Sequence, residues 1–476
     1  MDSIEKLLNK LTASHESFRN HKIVSFKAES EQRMGFSGAC VCEIHCVWAP
    51  VGPPARLFMK HVVHAKARDA ATDADARAKA IRNRQSYWNE VAALSDSYFC
   101  AGQLPSVLRL PTIYLKTHSH DFTKPSPDEE ESWTFLYGSL NASCQQLPVF
   151  ERMEQLHAVL QWLATAHAFH WGQLGPSSTS THAAEQGEGQ EQEHNPHAVT
   201  AQGVWEQGTH LAYHKRPTEE LAAVGAVWAD FTAPTAFNWP QLSGLGVRLS
   251  AVAQSVGAAL SVHAPRNQRR GCVTLVHGDV KPGNIFLERE REAGESGSCS
   301  GSSGSGSSGS GGVTMIDFQW SGLGLAATDV AYFLAMAPSD ALLDLLSQEG
   351  GGRLEVDYLC VYYNYLQAAH AKFHGDSSSS SSSIDGNSSN STLSCSYPYE
   401  AFREDFQLAL LDFMRWMVPA RMRGERPAAY KKRQECPTWD LNMGAYRRSA
   451  VMMQFLMERV GDYLPVAEAL AAASKE

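Results

Sequence analysis

The stretch Val273-Thr-Leu-Val-His-Gly-Asp-Val-Lys-Pro-Gly-Asn-Ile-Phe-Leu287 sets two apolar, strand-like runs around a polar loop carrying His277, Asp279, Lys281 and Asn284. A further apolar run, Val313-Thr-Met-Ile-Asp317, follows a segment built largely of Ser and Gly. Two strands joined by such a tip read as a hairpin. The hairpin brings Asn284, at the start of one strand, near Asp317, at the end of the other. An amide oxygen and a carboxylate converging there suit Mg²⁺, which takes hard oxygen ligands and completes its shell with water and nucleotide phosphates. Asp279, on the same loop as Asn284, is placed to accept a proton from a substrate hydroxyl.

Outward from this stretch the chain divides. Before it, Ala39 to Trp48, Arg56 to Val63 and Trp133 to Tyr137 read as strands, interrupted by a polar helical stretch from Ala65 to Leu94. Residues 1–138 are expected to form a small mixed lobe. From Phe150 onward helices dominate: Met153, Leu156, Leu160, Leu163, His167 and His170 recur at spacings of three and four, as do Phe402, Phe406, Leu410, Phe413 and Met417. Residues 139–476 are expected to form a larger helical lobe. Three tracts, 175–196, 291–312 and 376–394, are too polar or monotonous to offset the entropy of ordering them, and read as surface insertions. The fold class expected is α+β, with an antiparallel sheet and one main helix in the first lobe.

The chain has 476 residues, of which 43% are hydrophobic, enough for a sizeable core. Lys plus Arg number 41 against 51 for Asp plus Glu, so no basic excess is available for a polyphosphate backbone, and a dedicated nucleic-acid binder is excluded. No run of about eighteen uncharged apolar residues is present, and Met1 to Lys6 lacks the basic-then-apolar order of a secretory signal. The expectation is a cytoplasmic protein without a membrane partner. Ten scattered cysteines make no disulfide framework. Cys40, Cys42 and Cys46 fall on one strand face and read as buried small hydrophobes, because zinc would require a fourth ligand and turn-like spacing.

The pattern His277-x-Asp279-x4-Asn284, followed by Ile316-Asp317-Phe318, resembles the catalytic and metal-binding loops of the protein-kinase-like superfamily. Within it the chain is similar to the small-molecule phosphotransferase branch: aminoglycoside phosphotransferases, choline kinases and the ecdysteroid-kinase-like (CHK kinase-like) proteins. Ser86-Tyr-Trp-Asn-Glu90, Leu163-Ala-Thr-Ala-His167, Ile316-Asp-Phe-Gln319 and Asp329-Val-Ala-Tyr-Phe-Leu334 carry the likeness to that last group. The resemblance implies a bilobal kinase-like fold and transfer of the ATP γ-phosphoryl group, with Mg²⁺, to a hydroxyl of a small molecule. It implies Asp279 as catalytic base, Lys281 at the position where many protein kinases carry a phosphate-contacting lysine, and Asn284 and Asp317 as metal ligands. It implies Lys60 as the lysine on the nucleotide phosphates and Glu90 as its ion-pair partner. Gly35 and Gly38 fall in the segment that should cover the phosphates, and Asp329 resembles the aspartate that braces the catalytic loop from below.

Three other readings compete. A protein kinase would share His277 to Asn284, but Gly278 and Gln319 replace the arginine and glycine expected there, and only eleven residues separate Asp317 from Asp329. A catalytically inactive binding module would have lost a metal ligand or the lysine. Gly322-Leu-Gly-Leu-Ala-Ala327 fits the G-x-G-x-x-A pattern of a dinucleotide-binding turn, but the helix after Asp329 is not followed by the second parallel strand that a βαβ unit requires. His277, His167 and His170 read as structural histidines. Trp205, Trp228, Trp320, Trp416 and Trp439 are open between core and acceptor pocket, and neither the acceptor, the choice of ATP over GTP, nor the oligomeric state is legible.

Overall fold

Alternation in Trp133-Thr-Phe-Leu-Tyr137 sorts these side chains onto two faces of a strand, and both faces are covered. In the computed structural model this segment is β6 of a sheet assembled from β1 (Lys22–Ala28), β2 (Gln32–Arg33), β3 (Ala39–Ala49), β4 (Arg56–His64), β5 (Ile113–His118) and β6 (Glu131–Gly138). The strands run antiparallel in the order β1-β3-β4-β6-β5, with β2 beside β3. The structure describes residues 2–29, 32–33, 39–64, 74–94, 104–105, 107–118, 131–172, 199–200, 203–216, 218–289, 312–343, 354–374, 397–435, 441 and 443–474. Gly35, Gly38, Trp439 and the expected insertions at 175–196, 291–312 (apart from Gly312) and 376–394 lie outside them.

One face of the sheet carries Cys42, Ile44, Cys46, Leu57, Met59 and Leu136. It packs under α1 (Asp2–Ser14), whose Ile4, Leu7, Leu8 and Leu11 repeat at helical spacing. Cys42 and Cys46 are therefore core residues, as expected, and burial pushes the Cys46 thiol up to about 11. The opposite face presents Val62, Trp133, Phe135 and Tyr137 toward α2 (Ala74–Ala93), where the Tyr87 ring stacks on Trp133. Lys60 alternates onto this second face, beside Val62.

Past β7 (Cys144–Gln145), the helical part is built from α3 (Met153–Phe169), α4 (Thr218–Ala222), α5 (Val224–Thr232), α6 (Leu245–Leu260), α7 (Pro265–Arg270), α8 (Ala326–Met336), α9 (Leu354–His374), α10 (Tyr399–Arg421), α11 (Pro427–Gln434), α12 (Ala445–Arg448) and α13 (Ala450–Ala473). α10 is its spine: Phe402, Phe406, Leu410, Phe413 and Met417 are all buried, as their spacing requires, and the helix packs on α5, α6, α8 and α13. The run Pro240–Arg270 is long and apolar enough, by length and composition, to cross a membrane. Within it α6 buries Leu249, Val252, Ala253 and Val256, and its Arg248 pairs with Glu468 of α13 at 2.7 Å, so here it is a core helix.

Two short antiparallel pairs lie between α7 and α8: β8 (Val273–Val276) with β11 (Gly322–Leu325), and β9 (Ile285–Glu288) with β10 (Val313–Met315). The second pair is the expected hairpin. The first pair agrees with setting aside a dinucleotide turn at Gly322 to Ala327, since both glycines lie within β11 and not in a turn. Each is there because a strand crosses closely: a Cβ on Gly322 would meet the Trp205 carbonyl oxygen at 2.4 Å, and one on Gly324 would meet Val276 at 2.8 Å.

Candidate functional site

Two groups of side chains converge where the sheet meets the two strand pairs. In the first, Lys60 of β4 reaches Glu90 of α2, with Nζ 2.8 and 3.1 Å from the two carboxylate oxygens. The same Nζ donates to Asp317 Oδ1 at 2.6 Å. Glu90 is 1% exposed and Lys60 11%, so the pair is nearly stripped of water. Burial opposes the charge on Lys60, but Asp317 and Glu90 hold its ammonium well above the usual lysine range. Burial raises the Glu90 carboxyl, and Lys60 offsets part of that rise.

Asp317 occupies the left-handed backbone region, φ 66° and ψ 59°, directly after β10. Aspartate tolerates this conformation better than most side chains do. Antiparallel pairing of Met315 with Ile285, continued by the bond from Ile316 N to Asn284 O at 3.0 Å, brings Asn284 alongside.

The second group is centred on Asp279, which is 2% exposed. Its Oδ2 accepts from Lys281 Nζ at 2.7 Å and from Asn284 Nδ2 at 3.1 Å, and its Oδ1 accepts from the Tyr332 hydroxyl at 2.7 Å. Burial alone would push the Asp279 carboxyl up, but Lys281, His210 and these hydrogen bonds hold it below the ordinary aspartate range. Lys281 is raised, against burial, by Asp279 and by Asp317, so it links the two groups.

The loop between β8 and β9 is held from beneath. Asp329, at the start of α8, accepts from the backbone N–H groups of His277 (2.7 Å) and Gly278 (2.9 Å). Its Oδ2 also lies 3.2 Å from His167 Nε2, and His167 Nδ1 lies 2.7 Å from the Tyr362 hydroxyl. The His277 ring bonds the Ile316 carbonyl at 2.9 Å, tying this loop to β10. His167 and His277 are thus structural. Gly278 has φ 79°, and a Cβ there would lie 2.2 Å from the Trp320 carbonyl oxygen.

Every expected site residue within the described structure therefore belongs to one of two adjoining clusters: Lys60, Glu90 and Asp317, or Asp279, Lys281 and Asn284. Gly35 and Gly38 lie outside the described residues. Three further residues were not singled out from sequence. Tyr332 lies three residues after Asp329 on α8, and that spacing alone puts the two on one helix face. Asn89, next to Glu90, donates to the carbonyls of Ser321 (2.7 Å), Gln319 (3.1 Å) and Phe318 (3.3 Å) and accepts from Trp205 N at 2.8 Å. It fixes α2 against the segment after Asp317. His210 arrives on a loop that also docks on the 276–284 loop, where Thr209 Oγ1 donates to the Gly278 carbonyl at 3.0 Å.

Around His210 the tryptophans left open by the sequence divide. Trp320 and Trp416 lie 5.1 and 5.0 Å from its ring, and Trp205 packs on Trp320. Trp228 is a core residue whose Nε1 donates to the Leu242 carbonyl. Burial pushes the His210 imidazole down to about 3; Asp279 acts against this, while Arg216, Lys281 and Arg82 add to it, so the ring is neutral at pH 7.

No family model matches the chain, and no curated protein matches it. Among solved structures it is similar to a choline kinase from Cryptosporidium parvum, with a TM-score of 0.41 at 7% identity over 99% of this chain and 97% of that one. It is similar to an aminoglycoside phosphotransferase from Alicyclobacillus acidocaldarius (TM-score 0.39, 10% identity, 93% of each chain) and to a microcompartment-associated aminopropanol kinase (TM-score 0.36, 9% identity, 98% of each chain). Overlap at these scores is too loose to transfer anything from those proteins. The chain's own topology, with a lysine on a sheet strand paired to a helix glutamate above a loop-and-hairpin site, is that of a bilobal, α+β, kinase-like fold.

Proposed function

We propose that this protein is an ATP- and Mg²⁺-dependent phosphotransferase that acts on a hydroxyl of a small molecule bound beside Asp279. The observation that carries this reading is the convergence, from separate segments, of Lys60 with Glu90 and Asp317 next to Lys281 with Asp279 and Asn284. Phosphoryl transfer asks little covalent chemistry of a protein; it asks for positioning and for charge neutralisation, and this set supplies both.

Asn284 and Asp317 fit a divalent cation. The Asn284 amide nitrogen is committed to Asp279, through O at 2.8 Å and Oδ2 at 3.1 Å, which leaves its Oδ1 as a neutral oxygen donor. Asp317 Oδ1 is engaged by Lys60, and Oδ2 supplies a charged oxygen. Bound by these two residues, Mg²⁺ would neutralise charge on the nucleotide phosphates. Lys60, held by Glu90, orients the phosphates. Asp279 orients the acceptor hydroxyl and takes its proton. The bond from the γ-phosphorus to the bridging oxygen breaks with its electron pair remaining on ADP, and a bond to the acceptor oxygen forms. Lys281 balances the charge that Asp279 carries before transfer.

A small acceptor is favoured over a protein substrate because the eleven residues between Asp317 and Asp329 are taken up by a 3-10 turn, Phe318–Trp320, by Ser321, by β11 pairing with β8 and by the first turn of α8. No segment remains there for a peptide platform. The metal assignment is tested with Asp317→Ala: Mg²⁺-dependent turnover should fall at least a hundredfold, and full retention would refute it.

A further inference from the structure

Close to His210 the structure gathers basic side chains with little acidic charge beside them, one buried and two half-buried. Arg82 of α2, Lys215 and Arg216 come together where the Arg82 Nη1 donates to the Lys215 carbonyl at 2.9 Å. Among the described residues, the one carboxylate in ion-pair contact with any of the three is Glu220, which takes Arg216 through Nε (3.1 Å) and Nη2 (2.6 Å). Among the described residues Lys215 Nζ bonds only the carbonyls of Gln207 and Thr209, and it lies 3.7 Å over the Trp205 ring. Burial lowers the lysine further, and Arg82 adds to the effect. Arg82 is brought down to about 10 by burial and by Arg216.

Among the described residues Arg82 Nε is buried without a partner, and Arg82 Nη2 and Arg216 Nη1 make no hydrogen bond. Unmet buried donors on an arginine are costly, and an oxyanion satisfies them in the planar geometry a guanidinium presents. The pair connects to Asp279 through a chain of ring contacts. The Arg216 guanidinium lies 6.0 Å over Trp416, Trp416 packs on His210, and His210 lies 6.1 Å from Tyr332, which bonds Asp279.

We infer that the acceptor alcohol carries an oxyanion, a carboxylate or a phosphate or sulfate ester, bound by Arg216 and Arg82, with its carbon chain against Trp416 and Trp320. This rests on the phosphotransferase reading for the word acceptor, but the anion site stands by itself. His210 then lies between Trp416, Trp320 and Tyr332.

The test uses the full chain and two measurements. The first is the thermal midpoint in millimolar sodium sulfate against sodium chloride at equal ionic strength, for wild type, Arg216→Gln and Arg82→Gln. Sulfate should raise the wild-type midpoint by several degrees over chloride, and each variant should lose most of that gain. Arg216→Lys should keep part of it, which serves if Arg216→Gln does not unfold cooperatively. No gain in wild type, or the same gain in both glutamine variants, overturns the inference. The second is Asp279-dependent ADP release with hydroxy acids, phosphorylated alcohols, and amino or neutral alcohols as separate acceptor sets. Release with either of the first two supports the inference and tells which oxyanion is read. Release only with the third overturns it while leaving phosphotransfer intact. An Arg216-dependent sulfate gain with no ADP release from any set supports the anion site and counts against phosphotransfer.

Discussion

Tyr332 donates its hydroxyl hydrogen to Asp279 Oδ1 at 2.7 Å, from the same face of α8 that carries Asp329. One helix thus supplies both the brace under the 276–284 loop and a hydrogen bond to its central carboxylate. Because the bond favours the ionised form, Tyr332→Phe should raise the Asp279 carboxyl. A hydrogen bond to a charged group is worth about 1.5–3 kcal/mol, so the acid limb of the kcat–pH profile should move to higher pH by about one unit or more. A limb that stays in place contradicts a direct role for this contact.

Removing the cation between Glu90 and Asp317 should change stability in a pH-dependent way. In Lys60→Met, Glu90 is left buried without its counter-charge, at a cost of about 3–5 kcal/mol. The Glu90 carboxyl, already raised by burial, then rises further. The folded variant binds more protons than its unfolded chain between the ordinary glutamate range and this raised value, so its stability increases as pH falls through that window. Urea midpoints from pH 7 down to pH 5 measure this. A variant that loses stability as steeply as wild type on acidification contradicts the pairing. Nucleotide affinity should fall at least tenfold in the same variant.

Asp329→Ala leaves the His277 and Gly278 N–H groups and the His167 ring without the carboxylate they share. Loss of such a buried network should cost about 3 kcal/mol or more, read as a lower urea midpoint at constant slope. A change under about 0.5 kcal/mol, the range of ordinary surface substitutions, contradicts the bracing role.

Gly278→Ala puts a Cβ into the Trp320 carbonyl at a backbone angle that L side chains rarely adopt. The loop between β8 and β9 must shift, and with it Asp279. Turnover should drop by two orders of magnitude or more, since an ångström of misplacement costs about a hundredfold. Full activity in this variant would mean that the loop tolerates displacement.

Asp279, Lys281, Asn284 and Asp317 are legible because their chemistry sits in one short stretch and a hairpin whose register follows from strand pairing. Lys60 and Glu90 needed the family pattern, since a lone lysine on a strand ordinarily reads as an edge charge. Trp320, Trp416 and His210 were not legible as a group: they come from a turn, a helix and a loop, and only tertiary packing brings their rings together. α1 lies outside the elements expected from sequence, although Ile4, Leu7, Leu8 and Leu11 carry its period. The Gly322-x-Gly324 run is ambiguous by itself, because close strand crossing and a tight turn both demand glycine.

The measurement that bears most directly on the proposed chemistry compares wild type with Asp279→Asn, each incubated with Mg²⁺, ATP and a library of small alcohols and hydroxy acids. Products heavier by one phosphoryl group are sought by mass spectrometry. The amide keeps the size of Asp279 but cannot take the hydroxyl proton. A phosphorylated product from wild type, reduced at least a hundredfold in the variant, is the predicted result. Equal product from both proteins, or none from wild type while ATP binds, would contradict it.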